Sequence, residues 1–273
     1  MIKYYIIMYI EDEWGKLKTV ILGSSTKYSD YKKTDKQNKI ENNVLKEIQD
    51  IMEKRNIKVI KPKYIKGVDI TESLWVRDSS IVIGKQFILM QLQNNVEKRK
   101  LEYKTVNLYK NIIQKNEEIK IEGGDIIQMK DTIFIGIHKR TNIFGYKWLK
   151  NLFPNKKIIK IHHTALHLDC CLSILPNKII LYSKKYIKIP FFCYKNFRCI
   201  NVDDIIVGDT NLSTNFLFLD KNTILIDNQY RFKNVRRLIK KLGFEIIIIN
   251  LQKMWKYGGS IRCLTQPLLR EYI

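Results

Sequence analysis

The sequence predicts an α/β fold of about five strand–strand–helix–strand units set around an axis like the blades of a propeller, in one domain spanning residues 1–273. The first observation is a repeat. Four segments carry a polar residue, an apolar run, a short polar turn and a second apolar run: Asp78-SSIVIGKQFILM, Asp125-IIQMKDTIFIGI, Asp169-CCLSILPNKIILYS and Asn215-FLFLDKNTILID. The second is the period. Asp78, Asp125, Asp169, Asn215 and then Cys263 stand 47, 44, 46 and 48 residues apart. A spacing in the range of roughly 20–50 residues marks one supersecondary unit per repeat, and units that circle an axis bring equivalent positions together at one end. The third is the filling between repeats, where helical and strand spacings alternate without a Pro/Gly/Ser-rich linker.

The elements follow in order. Trp14-Gly15-Lys16 reads as a turn and Leu17–Leu22 as a strand. Lys36–Arg55 has apolar residues at 40, 44, 45, 48, 51 and 52, the spacing of one helix face, and Val59–Ile60 returns as a strand before Pro62. Glu97–Gln114 and Phe144–Phe153 read as helices, and Ile158–Ile161 as a strand. Val235–Leu242 reads as an amphipathic helix closed by Gly243, and Phe244–Ile249, with four consecutive isoleucines, as a fully buried strand.

Composition narrows the function. Hydrophobic residues make up 45% of the chain. Aromatic residues are plentiful, with 15 Tyr and 11 Phe. A disordered chain is thereby excluded. The formal charge of +22 invites a nucleic-acid reading. However, Lys is spread over nearly every loop beside abundant Ile and Asn, as AT-rich codon usage would produce. The densest basic runs, at Asn155-Lys-Lys157 and from Arg236 to Lys241, are short. A specific nucleic-acid partner is therefore not expected. Five cysteines at irregular spacing do not form a disulfide framework, and the absence of CxxC and HExxH motifs argues against a structural zinc site. Tyr4–Ile10 is apolar but far too short for a membrane span, and no signal-peptide cleavage pattern follows. A cytoplasmic protein is expected.

Three stretches carry chemistry. Cys263 lies in Gly258-Gly-Ser-Ile-Arg-Cys-Leu-Thr265, where two glycines permit close backbone approach and positive φ. This suggests a cysteine presented at an exposed loop tip, with Arg262 beside it to favour the thiolate. A lone cysteine is more often a small buried hydrophobe, and Cys170, Cys171, Cys193 and Cys199 read that way, the first pair inside an apolar strand and the second in a loop. In Leu166-His-Leu-Asp169, strand alternation would place His167 and Asp169 on one face as an acid–base pair or a structural one. His138, His162 and His163 read as surface or packing residues. In Glu122-Gly-Gly-Asp125 the glycines would let the chain turn sharply and leave Glu122 free to reach an imidazole. Asp78, in Trp75-Val-Arg-Asp78, adds another carboxylate. Several carboxylates around one His and one Cys imply a cation in the pocket, and a guanidinium suits paired carboxylates.

These motifs together resemble the guanidine-modifying enzymes of the pentein fold: arginine deiminases, dimethylargininases and amidinotransferases. The resemblance runs almost end to end, from Glu13-Trp-Gly-Lys-Leu-Lys-Thr-Val-Ile-Leu22 through Trp75–Asp78, Glu122–Asp125, Gly136-Ile-His-Lys-Arg-Thr-Asn142 and Leu166–Asp169 to Gly259–Cys263. It implies a five-bladed pseudo-symmetric α/β propeller. It also implies Cys263 as nucleophile, His167 as general acid and base, and Glu122 as the acid that orients it. Asp78 and Asp169 would hold guanidinium nitrogens, and Arg140 a substrate carboxylate. No metal or organic cofactor is implied. The partner is a small guanidino substrate; a homo-oligomer is compatible with the sequence, and no membrane partner is expected.

Within the resemblance, Asp169 favours an unmethylated guanidinium, since dimethylargininases lack that acid. The intact Glu122-Gly-Gly and short length look more like the hydrolases. Arginine-dihydrolase-type enzymes share the C-terminal Gly-Gly-x-x-x-Cys but carry Asn where Asp78 stands, and arginine deiminases carry an inserted helical domain that this chain lacks. A hydrolase giving a ureido product and ammonia is expected. An amidinotransferase, a dimethylargininase-type hydrolase and a non-catalytic arginine-binding protein remain as alternatives.

Overall fold

The computed structural model describes residues 7–25, 35–62, 74–92, 118–208, 212–255 and 258–272. The expected helix at Glu97–Gln114 lies outside them. Among the described residues, fourteen strands form five small sheets. Strands β1 (Lys16–Leu22), β2 (Lys58–Ile60) and the C-terminal β14 (Thr265–Glu271) make the first, in the order β14-β1-β2. Then come β3 (Ser80–Ile83) with β4 (Gln86–Leu89), and β5 (Ile126–Met129) with β6 (Thr132–Ile137) and β7 (Lys157–His162). The last two are β8 (Leu172–Leu175), β9 (Ile179–Tyr182) and β10 (Arg198–Asn201), and β11 (Leu217–Phe218), β12 (Thr223–Asp227) and β13 (Glu245–Ile249).

Each three-stranded sheet has one plan. Two strands pair antiparallel, a helix follows, and a third strand returns parallel to the second. The helices are α1 (Asp35–Glu53), α2 (Ile143–Leu152), α4 (Phe191–Asn196) and α5 (Lys233–Lys241), with a single turn α3 (Leu168–Cys171) before β8. All four repeated segments are antiparallel hairpins, as their pattern implies. In the β8–β9 hairpin Asn177 and Lys178 both have positive φ. They lie in a three-residue loop, Pro176–Lys178, between the paired Leu175 and Ile179, a short connection of the kind hairpins favour.

The middle strands read as unbroken apolar runs because both their faces are covered. On α1, Leu45, Ile48 and Met52 share one face and pack with Val20 and Leu22 of β1 and Leu225 of β12. Val235 and Ile239 of α5 pack on Ile224 and Ile226 of β12. Burying each such side chain contributes about 1.5–3 kcal/mol. Asn142 caps α2 by accepting a hydrogen bond from Gly145 N at 2.9 Å, a favoured use of Asn at this position.

Two expectations fail. The isoleucine run of β13 is not fully buried. It forms the edge of its sheet, and Ile248 is 48% exposed. An unbroken apolar run identifies a strand but not its place in the sheet, which long-range pairing decides. Cys193 and Cys199 are not in a loop either; they lie in α4 and β10. Among the described residues no helix is long and apolar enough to cross a membrane.

Candidate active site

The five periodic positions meet, four of them at the starts of the hairpins and Cys263 just before β14, linked by hydrogen bonds from one unit to the next. Gly123 N donates to Asp78 O (2.9 Å), Leu168 N to Asp125 Oδ1 (2.9 Å) and Asn215 Nδ2 to Asp169 O (3.5 Å). Arg262 N donates to Asn215 Oδ1 (3.0 Å), and Arg77 N to Cys263 O (3.4 Å), which returns the circuit to Asp78.

One side of this ring is an imidazole between carboxylates. His167 Nε2 lies 2.8 Å from Glu122 Oε2, and Nδ1 lies 3.6 Å from Asp78 Oδ1. Glu122 is fully buried, whereas the Asp78 side chain is partly open at 15%. Burial alone would depress the His167 pKa. The charge of Asp78 and the hydrogen bond to Glu122 override it and hold the imidazolium well above its ordinary range. Arg140 Nη1 stands 3.5 Å from Glu122 Oε1 at the more open edge. The two glycines after Glu122 serve close approach more than turning. A Cβ on Gly123 would sit 2.2 Å from Arg77 O, and one on Gly124 2.7 Å from His167 Cγ.

His167 and Asp169 do not alternate along a strand. His167 is the extended N-cap of the single turn α3, and Asp169, Cys170 and Cys171 lie within that turn. A polar residue followed by an apolar run has the same appearance whether the first three residues coil or extend, so local pattern did not separate the two. The coil sends Asp169 to a different neighbour. Its Oδ2 lies 3.1 Å from Arg262 Nε and 3.7 Å from Arg77 Nε. Both arginines also reach Glu13, Arg262 Nη2 at 2.9 Å and Arg77 Nη2 at 3.7 Å. All four side chains are buried. The carboxylates are thus balanced by two internal guanidinium groups, where sequence reasoning invoked only a bound cation. Burial raises the Asp169 pKa against the pull of Arg262 and Arg77. At Glu13 the same arginines, with Arg270, overcome burial and lower it.

Cys263 belongs to the other side of the ring. It is 8% exposed, so it is a nearly buried residue and not a loop tip. Its Sγ, Cys170 Sγ and an Asp169 carboxylate oxygen all lie within 4.8 Å of one another, and Asn215 Nδ2 is 3.5 Å from the Cys263 sulfur. Gly258 has a positive φ, and a Cβ on Gly259 would meet the Trp75 ring at 2.5 Å. This segment therefore requires both glycines. Asp78, Glu122 and His167 make a second group with ligand atoms within 4.8 Å. Either group has donors for a metal ion, but each already carries cationic partners: Arg262 and Arg77 in one, the raised-pKa His167 in the other.

Sequence reasoning missed Glu13 and Arg77 as site residues, and it read Arg262 only as a neighbour of the thiol. Glu13 lies in the acidic run Glu11-Asp12-Glu13 and Arg77 precedes Asp78, so no spacing or apolar setting marks either one. Asp125 is structural: it accepts from Leu168 N and from Thr141 Oγ1 (2.6 Å), and it lies 3.1 Å from His163 Nε2. His163 is accordingly a packing residue. A cleft of about 630 Å³ lies among the hairpin turns, lined by Trp14, Lys130, Lys221 and Tyr272; no candidate site residue lines it.

The fold and this inventory define a member of the guanidine-modifying pentein superfamily. Residues 11–195 match the profile of the arginine deiminase family, and the chain belongs to that family. It is 30% identical over 207 residues to the uncharacterized protein YkgA of Bacillus subtilis, covering 74% of this chain and 71% of that one. Its fold superposes on inosamine-phosphate amidinotransferase of Streptomyces griseus with a TM-score of 0.78, at 16% identity and 97% coverage of both chains. It superposes on dimethylarginine dimethylaminohydrolase of Pseudomonas aeruginosa with a TM-score of 0.67, at 17% identity, covering 93% of this chain and 100% of the other.

The His167 geometry makes a testable statement. Glu122→Gln is expected to lower the imidazole pKa, read by following the ring nitrogens by NMR against pH. The folded pKa lies above the ordinary 6.5. The imidazolium therefore stabilises the fold fully below about pH 6.5, and that contribution is lost as pH rises through the elevated value. The wild type should lose stability across that alkaline window and the variant should lose less; an unchanged NMR titration would remove Glu122 as the cause.

Proposed function

We propose that this protein is a cysteine-dependent hydrolase of an unmethylated, arginine-like guanidino compound, on a five-bladed α/β propeller. The observation that carries the reading is the arrangement of the ring: a nearly buried thiol beside Asp169 on one side, and an imidazole held between Glu122 and Asp78 on the other. The circuit of hydrogen bonds among the five repeats supports the closed propeller.

In this reading the guanidinium sits between the two halves. Asp78 accepts hydrogen bonds from its terminal nitrogens. Asp169 does the same through the carboxylate edge not held by Arg262. The Cys263 thiolate attacks the guanidinium carbon, and the carbon–nitrogen bond to a terminal nitrogen breaks as His167 donates a proton. Ammonia leaves, and an amidino-thioether remains on Cys263. His167, now neutral, takes a proton from water, whose oxygen attacks the same carbon. The carbon–sulfur bond breaks, releasing a ureido product and restoring the thiolate. Glu122 keeps the ring oriented, and the mechanism calls on no metal or organic cofactor. The partner is a small molecule.

The test is to incubate the protein with L-arginine, agmatine, methylated arginines and guanidino acids, with and without glycine, and to follow ammonia, ureido and guanidino products. Equal yields of ammonia and ureido product from arginine are expected. Ornithine formed only when an amine is added would overturn hydrolysis and make the protein an amidinotransferase, with the amine in place of water.

Arg140 is assigned to the substrate carboxylate because it stands at the open edge, its side chain 26% exposed. Arg140→Ala should raise KM for arginine by roughly 10- to 100-fold, the worth of one charged hydrogen-bond pair, and leave agmatine nearly unchanged. Equal losses for both substrates would refute the assignment.

A further inference from the structure

We propose that Cys170 and Cys263 form an oxidisable dithiol, a modification site for hydrogen peroxide and other two-electron oxidants. The two sulfurs lie within 4.8 Å of each other. A change of one cysteine χ1 rotamer moves its sulfur by about 3 Å, comparable with the gap left to the disulfide length of about 2.05 Å. Residues 93 apart in sequence are brought together by the ring, because α3 leads into the β8–β9 hairpin and the Gly258–Thr265 segment into β14, which pairs with β1.

The other thiols do not share this position. Cys171 donates to the carbonyls of His167 and Leu168, and Cys199 to that of Phe197. Cys170 donates to Asp169 Oδ1 at 3.6 Å, and its sulfur lies within 4.8 Å of the Cys263 sulfur. The nearby Cys263 thiol and burial hold the Cys170 thiol pKa well above its ordinary range. Cys263 keeps partial access to solvent and is the sulfur an oxidant meets first.

The steps balance with the oxidant as the only added reagent. The Cys263 sulfur gives its electron pair to one peroxide oxygen, the O–O bond breaks, and a sulfenic acid forms with release of hydroxide, protonated to water. The Cys170 sulfur then attacks the Cys263 sulfur. The S–O bond breaks, the Cys170 proton leaves with the oxygen as a second water, and a disulfide remains. Cys170 thereby diverts Cys263 from further, irreversible oxidation to the sulfinic acid. That the bridge also stops turnover rests on the proposed function; the bridge itself does not.

The purified, reduced full-length protein is treated with hydrogen peroxide, free thiols are alkylated, and peptides are mapped by mass spectrometry without reduction. A species lighter by two hydrogens is expected, with the Cys170 peptide joined to the Cys263 peptide and the join reversed by dithiothreitol. Fragment ions distinguish Cys170 from Cys171. In Cys170→Ser the bridge should vanish and Cys263 should gain oxygen that dithiothreitol does not remove. Should that variant fail to fold, the wild-type map alone decides. Cys170 found alkylated while Cys263 is oxidised, or both still alkylated, overturns the proposal. A bridge in a protein that turns over no guanidino compound would refute the functional reading and leave the dithiol standing.

Discussion

Cys263→Ser is expected to lose turnover by about 10⁴-fold or more, as nucleophile replacements do when the covalent step has no bypass. The Ser oxygen is smaller and far less acidic, yet it keeps a hydrogen-bond acceptor for Asn215 Nδ2, which stands 3.5 Å from the native sulfur. The fold should barely register the change. Cys263 is nearly buried, but only one sulfur is exchanged, and a cost of about 1 kcal/mol or less is expected. Rapid quenching of the wild type with arginine should trap an amidino adduct on the peptide containing Cys263. Wild-type rates in the Ser variant, or an adduct on another residue, would remove Cys263 as the nucleophile.

Asp169→Asn is expected to damage both stability and activity, and stability more than Asp78→Asn does. Asp169 is fully buried and faces Arg262 and Arg77, and Glu13 would remain as the buried carboxylate in contact with both. Removing one partner of a buried ion pair costs about 3–5 kcal/mol, because the remaining charge stays dehydrated. Denaturant unfolding should show this as a lower midpoint at unchanged slope. Asp78 keeps some solvent, so Asp78→Asn should lower the midpoint less than Asp169→Asn does, through the lost charge beside the buried His167. Each variant should also lose about 10- to 100-fold in kcat/KM, for one charge-assisted hydrogen bond of about 1.5–3 kcal/mol. Equal stability in the two variants would mean that the Arg262–Asp169 contact contributes little to the fold. Wild-type kinetics in either would mean that its carboxylate does not face the guanidinium.

Much of the site was readable because the repeat imposes it. Asp78, Asp125, Asp169 and Asn215 stand at hairpin starts and Cys263 just before β14, and the period in the sequence becomes a hydrogen-bonded circuit in space. Local readings went wrong where two conformations share one pattern. Leu168–Cys171 coils before β8, although its apolar run continues straight into the strand. The isoleucines of β13 look like a central strand, but their sheet places them at an edge. The exposure of Cys263 was misjudged because glycines mark backbone freedom and close approach, and neither states which side the solvent is on.

The sequence by itself determined the α/β alternation and the hairpins, since periodicity is a property of neighbouring residues; it nominated Cys263, His167, Glu122, Asp78 and Asp169, and through the family resemblance Arg140, as candidate site residues. Only the tertiary structure decided how those groups are electrically balanced. Glu13, Arg77, Asp169 and Arg262 are scattered over almost the whole chain and carry no mutual spacing. Their contacts of 2.9 to 3.7 Å exist because strands from different repeats converge on one point. The same convergence sets Cys170 against Cys263 and His167 against Glu122. Charge pairing and proton affinity depend on distance and dehydration, and both are settled only when strands from different repeats pack together.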